Sequence, residues 1–324
     1  MAYSSRRIGF LPTTLAFALL ALAWAGATHA QDKVVHIGYQ KYGTLVFEKV
    51  RGTLEKTLAK QQASVTWTEF LGGPALLEAM GAGSIDFGIS GDTPPIFAQA
   101  AGVKLAYVGV EPPAPHGEAV IVLNGSPIHG IADLRGKRVA LNRGSNVHNL
   151  LVRVLAEAGM TPSDVQAVYL KPSDARPAFE NGSVDAWVIW DPYLAAAQTA
   201  LPTRTIADGV TSQGRVVDEN REFFLASADF AAGEPGLLRA IMADLAQTEA
   251  YAAAHRAELA GLLAPAMGMD LRAVQRAVDR LQFGVLPVDA KIAASQQDIA
   301  DTLEKLGLIP DHVDIGEAIP QHAL

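Results

Sequence analysis

The sequence predicts an α/β fold of two lobes, each a mainly parallel sheet flanked by helices, with a ligand cleft between them. Three observations carry that prediction. The stretch Gly83-Ser84-Ile85-Asp86-Phe87-Gly88-Ile89-Ser90-Gly91-Asp92 recurs ninety-nine positions later as Gly182-Ser183-Val184-Asp185-Ala186-Trp187-Val188-Ile189-Trp190-Asp191. Strand and helix patterns alternate through both halves of the chain. The run Pro112-Pro113-Ala114-Pro115 is a stiff connector between the halves, because each proline fixes φ and removes a donor.

Taken in order, Lys33 to Tyr39 alternates as a strand, and Gly38 to Gly43 turns into a helix over about 44–60. A strand over 64–70, a helix from Gly72-Gly73-Pro74 to Met80, the first repeat copy and a strand over 102–110 complete that group. After the prolines come a β-rich segment at 118–123, a strand at 138–141, a helix at 146–158, a strand at 167–170, a helix at 172–180 and the second copy. The chain is expected to cross back at 221–226. Three apolar-periodic helices, 236–255, 270–281 and 289–306, would then pack on the first lobe. The expected division is a targeting segment over 1–30, the first part of lobe 1 over 31–115, lobe 2 over 116–223, and a return to lobe 1 over 224–324. A chain that crosses twice forms a hinge.

With 324 residues, 49% of them hydrophobic, the chain can bury two cores of ordinary size. Its first thirty residues read as a cleavable secretory signal: Arg6-Arg7, an apolar run from Ile8 to Trp24, and small residues ending Thr28-His29-Ala30. The route is Sec or twin-arginine. Cysteine is absent, which excludes disulfides, thiolate metal sites and a cysteine nucleophile and suits export to a periplasm. The formal charge is −8, and cleavage leaves 24 Lys and Arg against 34 Asp and Glu, so nucleic acid is not an expected partner.

Ligands of open α/β sheets bind beyond the carboxyl ends of the strands, and both repeat copies place an Asp there ahead of a Pro-started helix. The backbone of Gly91, Asp92 and Thr93 is one expected anion seat, because a helix start offers unpaired N–H groups and a partial positive charge. Gly144, Ser145 and Asn146 form the second; His148, one turn later, could reach the cleft. Gln40, Tyr42 and Gly43 end the first strand, with a neutral donor and an aromatic wall; for Tyr42 the competing role is lobe packing. Trp190 and Tyr193 flank Asp191 and offer an apolar surface for the organic part of a ligand, whereas Trp187 suits the core. Asp92 and Asp191 are expected to cap or orient donors, and Glu118 to touch a polar part of the ligand or to bridge lobes.

Catalytic patterns fail inspection. Gly130 to Gly136-Lys137 has five residues between its glycines, Arg138 where a phosphate loop needs Ser or Thr, and a following rather than preceding strand. There is no His-Glu-x-x-His and no Gly-x-Ser-x-Gly, and the eight histidines are scattered. Neither enzyme activity, nor a metal, nor a cofactor is expected.

Five segments carry a resemblance. Gly38-Tyr39-Gln40-Lys41-Tyr42-Gly43, Gly83 to Pro95, Tyr107 to Pro115, Arg143 to Asn149 and Val184 to Tyr193 closely resemble periplasmic aliphatic sulfonate-binding proteins, the solute receptors of ABC importers. The likeness runs from about residue 33 to 315. It implies a type II periplasmic-binding-protein fold that closes over an alkanesulfonate held by donors from both lobes, a monomer with ABC permease subunits as partners, and a role in sulfur uptake. Receptors for taurine or nitrate and a pyrimidine-synthesising enzyme of the same fold are the alternatives.

Overall fold

The computed structural model describes residues 33–320, together with residues 1, 2 and 4, so the targeting segment expected over 1–30 lies outside the described residues apart from those three. No described helix is long and apolar enough to cross a membrane.

Strand β1 (Lys33–Tyr39) leads to helices α1 (Thr44–Arg51) and α2 (Thr53–Ala59), followed by β2 (Ala63–Glu69) and α3 (Gly73–Gly81). The single helix expected over 44–60 is broken at Gly52, whose φ of 64° ends one helix and begins the next. The side chain of Glu48 accepts the Leu54 N–H at 2.8 Å and so starts the second. Then come β3 (Phe87–Gly91), α4 (Thr93–Ala100) and β4 (Leu105–Val110). The second group runs β5 (Glu118–Leu123), β6 (Arg138–Leu141), α5 (Asn146–Glu157), β7 (Gln166–Tyr169), α6 (Pro172–Glu180), β8 (Ala186–Trp190), α7 (Tyr193–Ala200) and β9 (Thr203–Asp208). The chain ends with β10 (Glu222–Ser227), α8 (Ala228–Gly233), α9 (Pro235–Ala254), α10 (Arg256–Met267), α11 (Leu271–Arg280) and α12 (Ala290–Lys305).

Two five-stranded sheets result, ordered β2-β1-β3-β10-β4 and β7-β6-β8-β5-β9. The orders are equivalent position by position, and the two repeat copies are the central strands β3 and β8. In each sheet one strand runs against the rest: β10 is antiparallel to β3 and β4, and β5 to β8 and β9. The reason is topological. Both strands enter directly after a crossing, from the end of the sheet where the other strands leave. Their first residues therefore sit at that end, Glu118 opposite Trp190 and Glu222 opposite Gly91.

Alternate residues of β10 feed two cores. Phe224 and Ala226 join the one beneath α1 and α9, whereas Phe223 and Leu225 join the one beneath α3 and α12. The second sheet has its own core around Ile121, Leu150 and Trp187. The segment 221–226, expected as the return crossing, is largely β10 itself, and the crossing precedes it. Neither β9 nor α10 stands out in the sequence: β9 is a half-buried edge strand without alternation, and α10 is rich in alanine and contains Pro265. The C-terminal helices also do not all pack on the first sheet's lobe, because Ala273 and Ala277 of α11 meet Ala195 of α7.

Candidate functional site

The ends of β1, β3, β6 and β8 converge where the two sheets face each other. A Cβ added to Gly91 would lie 3.0 Å from the Cβ of Asn146, so the walls of the two lobes touch. Beyond them Phe97 of α4 stacks on His148 of α5 at 6.1 Å between centroids, and His148 meets Tyr169 edge-on at 5.9 Å. Gly72, ahead of α3, approaches the Trp190 ring in the same way. The expected site residues are thus brought together, but several do not have the roles that the sequence suggests.

The seat at Gly91 to Thr93 is short of donors. Pro94 and Pro95 have no N–H. The Thr93 hydroxyl donates to Asp92 at 2.8 Å, and the Thr93 amide also faces that carboxylate. Asp92 is therefore satisfied by its own helix start. At the second seat, Ser145 donates its hydroxyl to the Asn142 carbonyl at 2.8 Å. The Asn146 amide donates to Glu118 at 2.7 Å and to Asn220 at 2.9 Å. Neither side chain is left to donate to an anion, contrary to expectation. The N–H groups of Asn146 and Val147 have no acceptor among the described residues, and those of Tyr193 and Leu194 at the start of α7 are in the same state. Two helix starts at the carboxyl ends of the neighbouring strands β6 and β8 are left with free N–H groups, the feature that suits an anion. The Gly144 N–H is directed to His148 Nδ1 at 3.3 Å, and Gly144 itself has φ 71°.

Asp191 does cap, accepting the Ala195 N–H at 2.9 Å from two residues ahead of α7, with Pro192 between them. It also has a partner that sequence reasoning missed. Arg280, the last residue of α11, donates to both Asp191 oxygens at 3.1 and 3.0 Å and to Gln198. Nothing in the repeat signals Arg280, because it arrives from a helix outside both copies. Trp190 belongs to the second lobe's core, as Trp187 does, and presents an edge to Tyr193. Tyr42 packs into that same core from the other lobe, which is the lobe-packing role. Gln40 donates to the Ile89 carbonyl at 3.1 Å, and Gly43 is confined by φ 75° and by Ile89.

Several carboxyls are buried around the two crossings and the strand ends. Burial pushes Asp92 up to about 6, with the Thr93 hydroxyl opposing, and Asp191 up to about 6 against the pull of Arg280. Burial raises Glu111 to about 7. Glu118 and Asp218 are pushed well above the carboxylate range by burial and by each other's neighbourhood, including Asp92; Glu222 and Glu249 rise by burial and the charge of Glu111. A carboxyl whose pKa is raised on folding stabilises the fold below its unfolded value and loses that contribution as pH rises through its folded value. His148 acts in the opposite sense, since burial and Arg143 lower it from 6.5 to about 4. The acids outnumber it. The thermal midpoint of the ligand-free protein is therefore expected to fall by more than about 5 °C from pH 5 to pH 8; a flat or rising profile in scanning calorimetry would contradict the buried-acid assignment.

The described His and carboxylate groups gather metal-ligand atoms at one place, Asp301, Glu304 and His312, which is exposed at the end of α12 and where His312 already pairs with Glu304 at 2.9 Å.

Two sheets of one strand order, joined by two crossings, define a two-lobed ligand-binding protein. The chain belongs to the NMT1/THI5-like family, which it matches over residues 70–259. It is 38% identical to the alkanesulfonate-binding protein SsuA from Xanthomonas axonopodis pv. citri, solved bound to MOPS, with a TM-score of 0.83 over 90% of this chain and 99% of that one. The periplasmic aliphatic sulphonate binding protein SsuA from Escherichia coli is 40% identical, with a TM-score of 0.78 over 90% and 98%. The taurine-binding periplasmic protein of Escherichia coli is 27% identical over 241 residues, 74% of this chain and 70% of the relative. The resemblance read from the five sequence segments holds. The desulfurization enzyme DszB, at 14% identity and a TM-score of 0.63, shares the fold alone.

Proposed function

We propose that this chain is the substrate-binding protein of an ABC importer and that it closes over an aliphatic sulfonate without transforming it. The observation that carries the reading is the pair of helix starts, α5 and α7, whose free N–H groups stand at the carboxyl ends of the neighbouring strands β6 and β8. A sulfonate is ionised at all physiological pH and only accepts hydrogen bonds, so backbone donors that never titrate suit it. Burial raises the pKa of the neighbouring carboxyls, which disfavours their charged forms and so weakens their repulsion of an anion. Trp190, Tyr193 and the exposed Leu71 offer apolar surface for an alkyl tail. Gly91, Gly144, Ser145, Asn146 and His148 shape the seat, while Gln40, Tyr42, Gly43, Asp92, Thr93, Glu118 and Asp191 hold it in place.

The expected division at 31–115, 116–223 and 224–324 is kept with its second boundary moved ahead of β10, which begins at Glu222, and residues 1–30 are removed on export to the periplasm by the Sec or twin-arginine route. The receptor acts as a monomer that docks on permease subunits. Titration calorimetry with a panel of alkanesulfonates, taurine, nitrate and sulfate tests the reading. Micromolar binding of an alkanesulfonate, roughly −8 kcal/mol, with the ligand recovered unchanged by mass spectrometry, is the expected result. Binding of nitrate alone would reassign the substrate, and a chemically altered ligand would make the chain an enzyme.

A further inference from the structure

Asn220 stands out in the return crossing. It is a non-glycine residue with φ 45° and is 1% exposed. Such a backbone persists only where its surroundings hold it, and such positions gather at ligand clamps and switches. Its side chain and its N–H are all engaged, and its carbonyl accepts the Ala114 N–H at 3.4 Å. Its Oδ1 accepts the Asn146 amide at 2.9 Å, its Nδ2 donates to the Ala114 carbonyl at 2.9 Å, and its own N–H donates to Asp218 at 3.0 Å. Ala114 lies in the outward crossing and Asn146 opens α5, so one side chain joins both crossings to the helix start that offers free N–H groups.

The outward crossing is shaped to admit it. A Cβ on Gly117 would stand 2.8 Å from both the Asn220 Nδ2 and the Tyr42 hydroxyl. The Gly117 carbonyl accepts the Asp191 N–H at 2.8 Å, which ties the end of β8, beside the start of α7, to the same turn. On the far side of Asn146, Glu118 takes the remaining amide hydrogen. The Asn146 side chain therefore has a single orientation while Asn220 holds it.

We propose that Asn220 is a positioning residue for the bound anion: it fixes Asn146, and with it the free N–H groups at the start of α5, to the two crossings about which the lobes turn. The role rests on the receptor reading above. Rotation about the crossings changes the relation of Ala114 to the segment bearing Asn220, and Asn146 follows.

The test is Asn220→Gly, which keeps the left-handed backbone and removes both side-chain bonds, alongside Asn220→Asp, which keeps the acceptor for Asn146 and loses the donor to Ala114. Stopped-flow binding of the tightest alkanesulfonate in the panel should show dissociation accelerated by about tenfold in Asn220→Gly, with association within about twofold of wild type. A core variant remote from the network, Leu58→Ala, should lower the thermal midpoint and leave dissociation unchanged. Hydrogen exchange on ligand-free protein should show lost protection confined to the start of α5 and the turn at 114–117. Wild-type dissociation in both Asn220 variants, or an effect equalled by Leu58→Ala, overturns the proposal while leaving the receptor reading intact. If the wild type binds no sulfonate, the receptor reading fails instead, and exchange alone decides the positioning role: unchanged protection in Asn220→Gly overturns it.

Discussion

Replacing Arg280 by Met is expected to destabilise the protein by about 3–5 kcal/mol, because it leaves the fully buried Asp191 carboxylate without its cation. The loss has a pH signature. Asp191 has a pKa of about 6 even with Arg280 beside it, so without the guanidinium it is neutral at pH 5 and the defect shrinks there. At pH 8 the chain must either bury an unpaired charge or protonate it against the solvent. Adding Asp191→Asn should recover most of the stability, since the uncompensated charge goes with it, although the Asn would still accept the Ala195 N–H less strongly. Urea denaturation of both variants at pH 5 and pH 8 measures this; equal losses in the single and double variants would mean that Arg280 acts through packing alone.

The second large effect is on binding and not on stability. Gly91 has ordinary backbone angles, so a side chain there is not strained, but its Cβ would already stand 3.0 to 3.2 Å from three atoms of Asn146 across the cleft. Gly91→Val adds two methyl groups beyond that Cβ, and the lobes can accommodate them only by staying apart. Closure removes water from the seat and strengthens every hydrogen bond in it. An affinity loss of about a hundredfold is expected, equivalent to about 2.7 kcal/mol, with the ligand-free thermal midpoint close to wild type. Calorimetry showing near-wild-type affinity would mean that the closed contact between Gly91 and Asn146 is not the liganded state.

The repeat at 83–92 and 182–191 made the central strand of each sheet legible, and with it the two-lobed plan and the place of the cleft. The reversed strands β5 and β10 were not legible as such, since direction in a sheet depends on where a crossing enters and not on local propensity. Gly52 shows the same limit at smaller scale: the apolar period runs through it, and only its positive φ breaks the helix. At the site, residue positions could be read, whereas hydrogen-bond partners could not. Ser145 and Asn146 have the right chemistry for anion donors, yet Asn142, Glu118 and Asn220 claim them first. Arg280 and Asn220 lay outside every motif because their significance comes from tertiary contacts with residues 89 and 74 positions away.

The claim that the chain is a closing receptor is tested most directly by the distance between its lobes. The sequence has no cysteine, so Lys60→Cys and Lys171→Cys, both exposed and one on each lobe, can carry spin labels without background. Pulsed electron resonance on ligand-free protein should give a broad or longer distribution. Saturating alkanesulfonate should collapse it to a single shorter distance, corresponding to the state in which Gly91 touches Asn146. An unchanged distribution at a ligand concentration where calorimetry shows full occupancy would contradict closure around the anion.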